Sequence, residues 1–298
     1  MNIFRFGNCK TVAQKNIGKT VSRVSIALLS GLSLSSLTTS ALVTSSLVTS
    51  ALVFGRPTPA TAQFAQLPST LEFVPPPLPE RGRPRGRSSG TASRGSCELT
   101  GQLPLTALVP VTQVSPETGV NITYDSVFSL TAQANPTFWF YVPYQLSDTP
   151  LEFVLQDEQN QTLYQSIYQP SSEDIEQGVV KVKIPDGEVT LAEGDRYHWF
   201  FMAYCDENAP SFVEGWIERT ADVATSDREI SPREKARIHA SNGIWQDAIT
   251  QIGEQVLAGE GEASADWETL LSSVGLEAIA QQPLVDCCAA TPAIRPLD

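Results

Sequence analysis

Histidine is nearly absent from the 298 residues, with only His198 and His239, and basic residues are scarce, 20 Lys and Arg against 33 Asp and Glu for a formal net charge of −13. A Ser or Cys nucleophile needs a base, most often His, within hydrogen-bond reach, so two histidines leave little room for a triad. Nucleic-acid binding displaces counterions with Lys and Arg, so the acid excess argues against nucleic acid as a partner. No C-x-x-C spacing occurs, which removes a zinc knuckle and a thioredoxin-like redox site. H-E-x-x-H, a phosphate loop and G-x-G-x-x-G are missing too, so neither a cofactor nor a metal is expected. What remains is a chain 41% hydrophobic, enough to fill one or two cores.

The few basic residues are unevenly placed. Residues 1–62 hold six of them (Arg5, Lys10, Lys15, Lys19, Arg23 and Arg56) and no acid, which leaves 14 basic against 33 acidic residues after Ala62. Basic residues up to Arg23, an apolar run from Ile26, and then Ala60-Thr61-Ala62 follow the order of a secretory signal, with cleavage expected between Ala62 and Gln63. The competing reading is a retained anchor, because residues 26–54 exceed the roughly 20 needed to cross a bilayer. In both readings the body lies outside the cytoplasm, in periplasm, lumen or medium, and touches membrane only through an uncleaved N-terminus. Residues 63–96, rich in Pro, Arg, Gly and Ser without apolar periodicity, are expected to be a disordered linker.

Removal of the leader leaves Cys97, Cys205, Cys287 and Cys288, which allow three pairings. In an oxidising compartment a Cys97–Cys205 disulfide is expected, since the vicinal pair is poorly placed to close on itself.

Residues 97–222 alternate short β-branched and aromatic runs with turn residues, the pattern of an immunoglobulin-like antiparallel β-sandwich. Thr137 to Val142 is apolar on both faces and predicts a central strand. Leu191 followed six residues later by Tyr197 resembles a tyrosine corner, in which the hydroxyl bonds back to the preceding backbone. Phe212 to Arg219 reads as the last strand, with Gly215 marking a bulge or a close approach. Residues 223–285 switch to helical period: a capping box at Ser231-Pro-Arg-Glu234, a stop at Asn242-Gly243, a stripe of Ile244, Ala248, Ile249, Ile252 and Val256, and a further helix over 264–274. The pattern is that of a small tetratricopeptide-like hairpin, giving an α+β chain with a tail over 286–298. Trp245 and Trp267 are candidate partner-surface residues, if the sandwich leaves their stripe uncovered.

Chemistry is thinly marked. Gly86-Arg-Ser88-Ser-Gly90 matches G-x-S-x-G, but an elbow needs a strand before it and a helix after it. His198 is expected to pack within its strand, and His239 to lie on a helix surface near a C-terminus. The pairs Asp157/Glu158, Glu173/Asp174 and Asp206/Glu207 fall at turns; a glycosidase needs two carboxylates across one cleft. Asn160 and Asn208 add oxygens beside two of these pairs, but without the twelve-residue spacing of a calcium loop.

Leu105-Thr-Ala-Leu-Val-Pro110, Asn135-Pro-Thr-Phe-Trp-Phe-Tyr-Val-Pro143, Tyr197-His-Trp through Cys205-Asp206, Phe212-Val-Glu-Gly-Trp-Ile-Glu218 and Leu270 to Ala280 stand in order along the chain. Together they resemble the cyanobacterial domain-of-unknown-function 928 family (DUF928), over about residues 97–285. The resemblance implies a secreted cyanobacterial protein without an established activity, so no catalytic residue carries over. The expected function is a non-enzymatic binding or structural module of the cell envelope, with an envelope protein or glycan as partner. The alternative is an extracytoplasmic hydrolase of glycan or peptide.

Overall fold

The computed structural model describes residues 70–79, 84–90, 103–115, 123–146, 149–169, 177–205, 209–223, 230–285 and 289–292. The fold is α+β. Its strands are β1 (Thr106–Ala107), β2 (Val111–Val114), β3 (Tyr124–Thr131), β4 (Thr137–Val142), β5 (Leu151–Asp157), β6 (Thr162–Gln169), β7 (Gly178–Lys183), β8 (Arg196–Ala203), β9 (Ser211–Arg219), β10 (Leu284–Val285) and β11 (Ala289–Pro292). They form a four-stranded sheet in the order β1-β4-β7-β10 and a seven-stranded sheet in the order β11-β6-β5-β8-β9-β3-β2.

Most pairs are antiparallel, as expected, but β3 with β9 and β10 with β7 run parallel. Parallel neighbours require a long crossover rather than a hairpin, and β3 is separated from β9 by β4 through β8. Nor is β9 the last strand, because β10 and β11 return to the two sheets after the helices.

β4 is buried on both faces, which its unbroken Thr-Phe-Trp-Phe-Tyr-Val run requires. Phe138 and Phe140 face the larger sheet, where Phe140 stacks on Phe201 at 3.9 Å and Phe138 meets Phe153 at 4.7 Å. Trp139 points the other way, packs edge-on to Trp267 at 5.7 Å, and donates from Nε1 to Thr250 Oγ1 at 3.1 Å. The smaller sheet is therefore a middle layer between the larger sheet and the helices.

Those helices are α1 (Pro232–Ser241), α2 (Trp245–Leu257), α3 (Ala263–Ser272) and α4 (Glu277–Ala280). Ser231 caps α1 by accepting from Glu234 N at 3.2 Å, and Gly243 takes the positive φ of +74° at the following turn. The predicted stripe is covered: Trp245 is 0% and Trp267 1% exposed. Neither indole is a partner surface, because the middle sheet already buries the face they occupy. His239 is likewise buried rather than on the helix surface, with Nε2 3.6 Å from Asp222 Oδ1.

Parts of the expected linker are packed. Leu71 and Phe73 are buried, Phe73 meets the Trp245 ring at 5.0 Å, and Val74 N donates to Ala240 O at 3.0 Å. Further on, Arg87 and Glu214 exchange both backbone bonds at 2.9 Å, and Ala107 N donates to Ser88 O at 2.8 Å. Proline forbids a regular ladder but not an extended strap, and composition hides the Leu71/Phe73 alternation inside a Pro-rich stretch.

Two local expectations are met. The Tyr197 hydroxyl accepts the N–H of Ala192 at 2.8 Å, tying the strand to its preceding corner. Gly215 marks a close approach and not a bulge: the β8/β9 register runs through it unbroken, and a Cβ there would lie 2.6 Å from Val127 Cγ1.

Candidate functional site

Period-two alternation on β8 and β9 sorts their side chains into two sets. Tyr197, Trp199, Phe201, Ala203, Val213, Gly215 and Ile217 are buried toward the middle sheet, while Arg196, His198, Phe200, Met202, Phe212, Glu214, Trp216 and Glu218 stand half-buried on the outer face. The register sets His198 directly across from Trp216 and Arg196 across from Glu218.

This outer face holds a mixed aromatic and charged groove. The His198 and Trp216 rings stack with centroids 4.4 Å apart and planes within 7°. His198 Nε2 lies 3.1 Å from Glu214 Oε2, and Arg196 Nη2 lies 2.6 Å from Glu158 Oε1. Pro84 and Arg85 of the strap close one side, and the whole encloses about 590 Å³. The strap's arginines are also held by rings: the Arg85 guanidinium sits 4.6 Å over Tyr124, and that of Arg87 4.6 Å over Phe212.

Burial pushes the Glu218 carboxyl above the usual carboxylate range; Arg196 pulls it back and Glu158 adds to the rise. Further along the same face, burial and then the hydrogen bond to Glu152 push the Tyr204 phenol up to about 12. Glu152 also accepts from Gln165 Nε2, so this buried carboxylate is shared by two donors.

Asp157 is committed to its turn, where Oδ1 accepts from Gln159 N at 2.9 Å and Gln161 N at 2.8 Å, and Asn160 adopts φ +63°. Its neighbour Glu158 is brought into the groove by Arg196. Asp206 and Glu207 lie outside the described residues, as do Glu173 and Asp174. Cys205 is half-buried just past the end of β8, packed against the core. Its expected partner Cys97 lies outside the described residues, and so do Ala62, Gln63, Cys287 and Cys288. Ser88 sits in extended backbone bridged to Glu214 and Thr106 through its neighbours Arg87 and Ser89, and residues 91–102, which come next, lie outside the described residues.

Arg196, Glu214 and Trp216 were not singled out by sequence. The signal was present: each is an odd-face residue of a strand whose alternate positions are apolar. Among the described residues, no group of three or more His, Cys, Asp or Glu gathers as a metal site.

Residues 89–284 match a family model described as Domain of Unknown Function (DUF928), a span that opens at the Ser89 bridge and closes on β10. No curated protein matches the chain.

Proposed function

The chain belongs to the DUF928 family, and from the groove on its larger sheet we propose that it is a non-enzymatic binding module of the cell envelope that takes a neutral glycan. The observation that carries this reading is the charge balance of the groove beside its stacked rings. Arg85 and Arg196 stand against Glu158 and Glu214, so the lining selects no net charge. Donors and acceptors side by side along an aromatic wall suit a hydroxyl-rich ligand with apolar faces. The groups that would serve as acid or base hold one another instead: Glu158 pairs with Arg196, and Glu214 faces His198.

Export is part of the proposal. The leader is cleaved between Ala62 and Gln63, and an envelope location keeps Cys97 and Cys205 oxidised to each other. No helix among the described residues is long and apolar enough to cross a membrane. The test is binding of the purified mature chain to a panel of envelope polysaccharides and their fragments, read together with product analysis. Saturable retention without turnover supports the module, and turnover that disappears on substituting Glu158 supports the hydrolase instead.

A further inference from the structure

A second recess lies far from the groove in chemistry and in walls, at the start of α2. It encloses about 160 Å³ and is lined by the end of β3, the start of β4, Lys183 of β7 and the first turns of α2. Two side chains there are almost fully buried, Gln246 at 1% and Asp247 at 4% exposure.

Their hydrogen bonding is half complete. Asp247 Oδ2 accepts from Thr131 Oγ1 at 2.8 Å and from Ala132 N at 2.9 Å. Gln246 Nε2 donates to Thr137 O at 2.8 Å. That carbonyl can only accept, so it fixes the amide with nitrogen inward to the strand and oxygen away from it. Asp247 Oδ1 and Gln246 Oε1 are left buried without a donor among the described residues. Buried polar groups in native folds are almost always paired, so two adjacent orphan acceptors mark a place for something that donates.

The lining narrows what donates. Every side chain in the recess apart from Pro136 is polar; the carboxylates are Asp247 and Glu254, and Lys183 is exposed at the rim. The two orphaned atoms are both acceptors, one of them charged, and together they fit a cationic donor. A transition metal lacks imidazole or thiolate ligands here, and a calcium ion would find only two carboxylates, Asp247 and Glu254, the first with Oδ2 already taken by Thr131 and Ala132. A primary ammonium group takes up to three acceptors: Asp247 and Gln246 offer the two buried ones, and Glu254, exposed two turns further along α2, lines the same recess. Lys183 repels a second positive charge and meets an anion attached to the first.

We propose that this recess binds the ammonium group of a small zwitterion of the α-amino acid class, with Lys183 facing its carboxylate. The site is independent of the glycan reading. Calorimetric titration of the mature chain with glycine, methylammonium, acetate and calcium tests it. Glycine is expected to bind best, methylammonium more weakly, acetate and calcium not at all. Asp247→Asn should weaken glycine by about tenfold or more, the loss of one charged hydrogen-bond partner. Because Asp247 also ties down β3, Lys183→Gln at the exposed rim is the second variant: it should lower glycine affinity and, with a repelling charge gone, leave methylammonium bound at least as tightly as before, so that glycine loses its advantage over methylammonium. Failure of both amines to bind, calcium binding in their place, or glycine affinity indifferent to Lys183→Gln would each overturn the proposal.

Discussion

His198 and Trp216 stand directly across from one another on β8 and β9, their rings stacked 4.4 Å apart on the face of the larger sheet that the middle sheet does not cover. The stack belongs to the groove wall and not to the core. One position earlier on the chain from each pair of outward residues lies an inward one, so function and stability are separable by a single step along a strand.

The first prediction uses that separation. Trp199→Ala, which empties a fully buried site, should cost about 3–5 kcal/mol. Trp216→Ala, on the half-buried face, should cost clearly less while abolishing most glycan retention. Urea unfolding of the two variants, beside a binding assay, checks both halves.

Gly215 gives the second. A Cβ at this position would stand 2.6 Å from Val127 Cγ1 and press into the Trp199 ring as well. Overpacking of this kind costs about 1–3 kcal/mol. Gly215→Ala should therefore lower the urea midpoint without changing the slope, since the unfolded chain is unaltered in extent.

Alkaline pH supplies the third. Burial raises the phenols of Tyr141, Tyr168 and Tyr204, the last to about 12. Between the ordinary value of 10.0 and the raised one, the folded state binds more protons than the unfolded state, so stability falls as pH rises through that window. Below pH 10 the three phenols leave stability flat. Tyr204→Phe should reduce the alkaline decline without removing it, because Tyr141 and Tyr168 remain, and should cost the Glu152 hydrogen bond at neutral pH. Thermal melts from pH 8 to pH 12 measure the difference.

Strand and helix identity were legible because their periods are local. The β4 run, the Leu191/Tyr197 corner and the Ser231 cap each need only a handful of consecutive residues to be recognised, and each is found as expected. The fate of Trp245 and Trp267 was not legible, since a helical stripe says that something covers it without saying what. Here it is the middle sheet, with Leu108 O accepting from Trp245 Nε1 at 2.7 Å across 137 residues of chain. The strap failed for a different reason: Leu71 and Phe73 are two apolar residues in a Pro-rich stretch, too few to register as a period. The groove needed the β8/β9 register, which sequence alone does not fix.

The fourth prediction concerns covalent structure. A Cys97–Cys205 disulfide closes a loop of about a hundred residues and should stabilise by about 3–5 kcal/mol in the chain-entropy model. Peptide mapping without reductant, on protein exported rather than made in a reducing cytoplasm, should recover the two cysteines in one linked fragment. The same sample should begin at Gln63; recovery of both cysteines as thiols, or of residues 26–54 still attached, would count against export as described.

The central claim is that the groove beside His198 and Trp216 recognises a neutral glycan. Its most direct measurement is the affinity of the mature chain and of Trp216→Ala for neutral and for anionic envelope polysaccharides, at low and at high salt. The account predicts saturable binding of a neutral polymer that resists salt, because the groove's charges balance, and that is lost in the variant. Binding confined to anionic polymers and dissolved by salt, or binding of the neutral polymer that Trp216→Ala leaves intact, would contradict it.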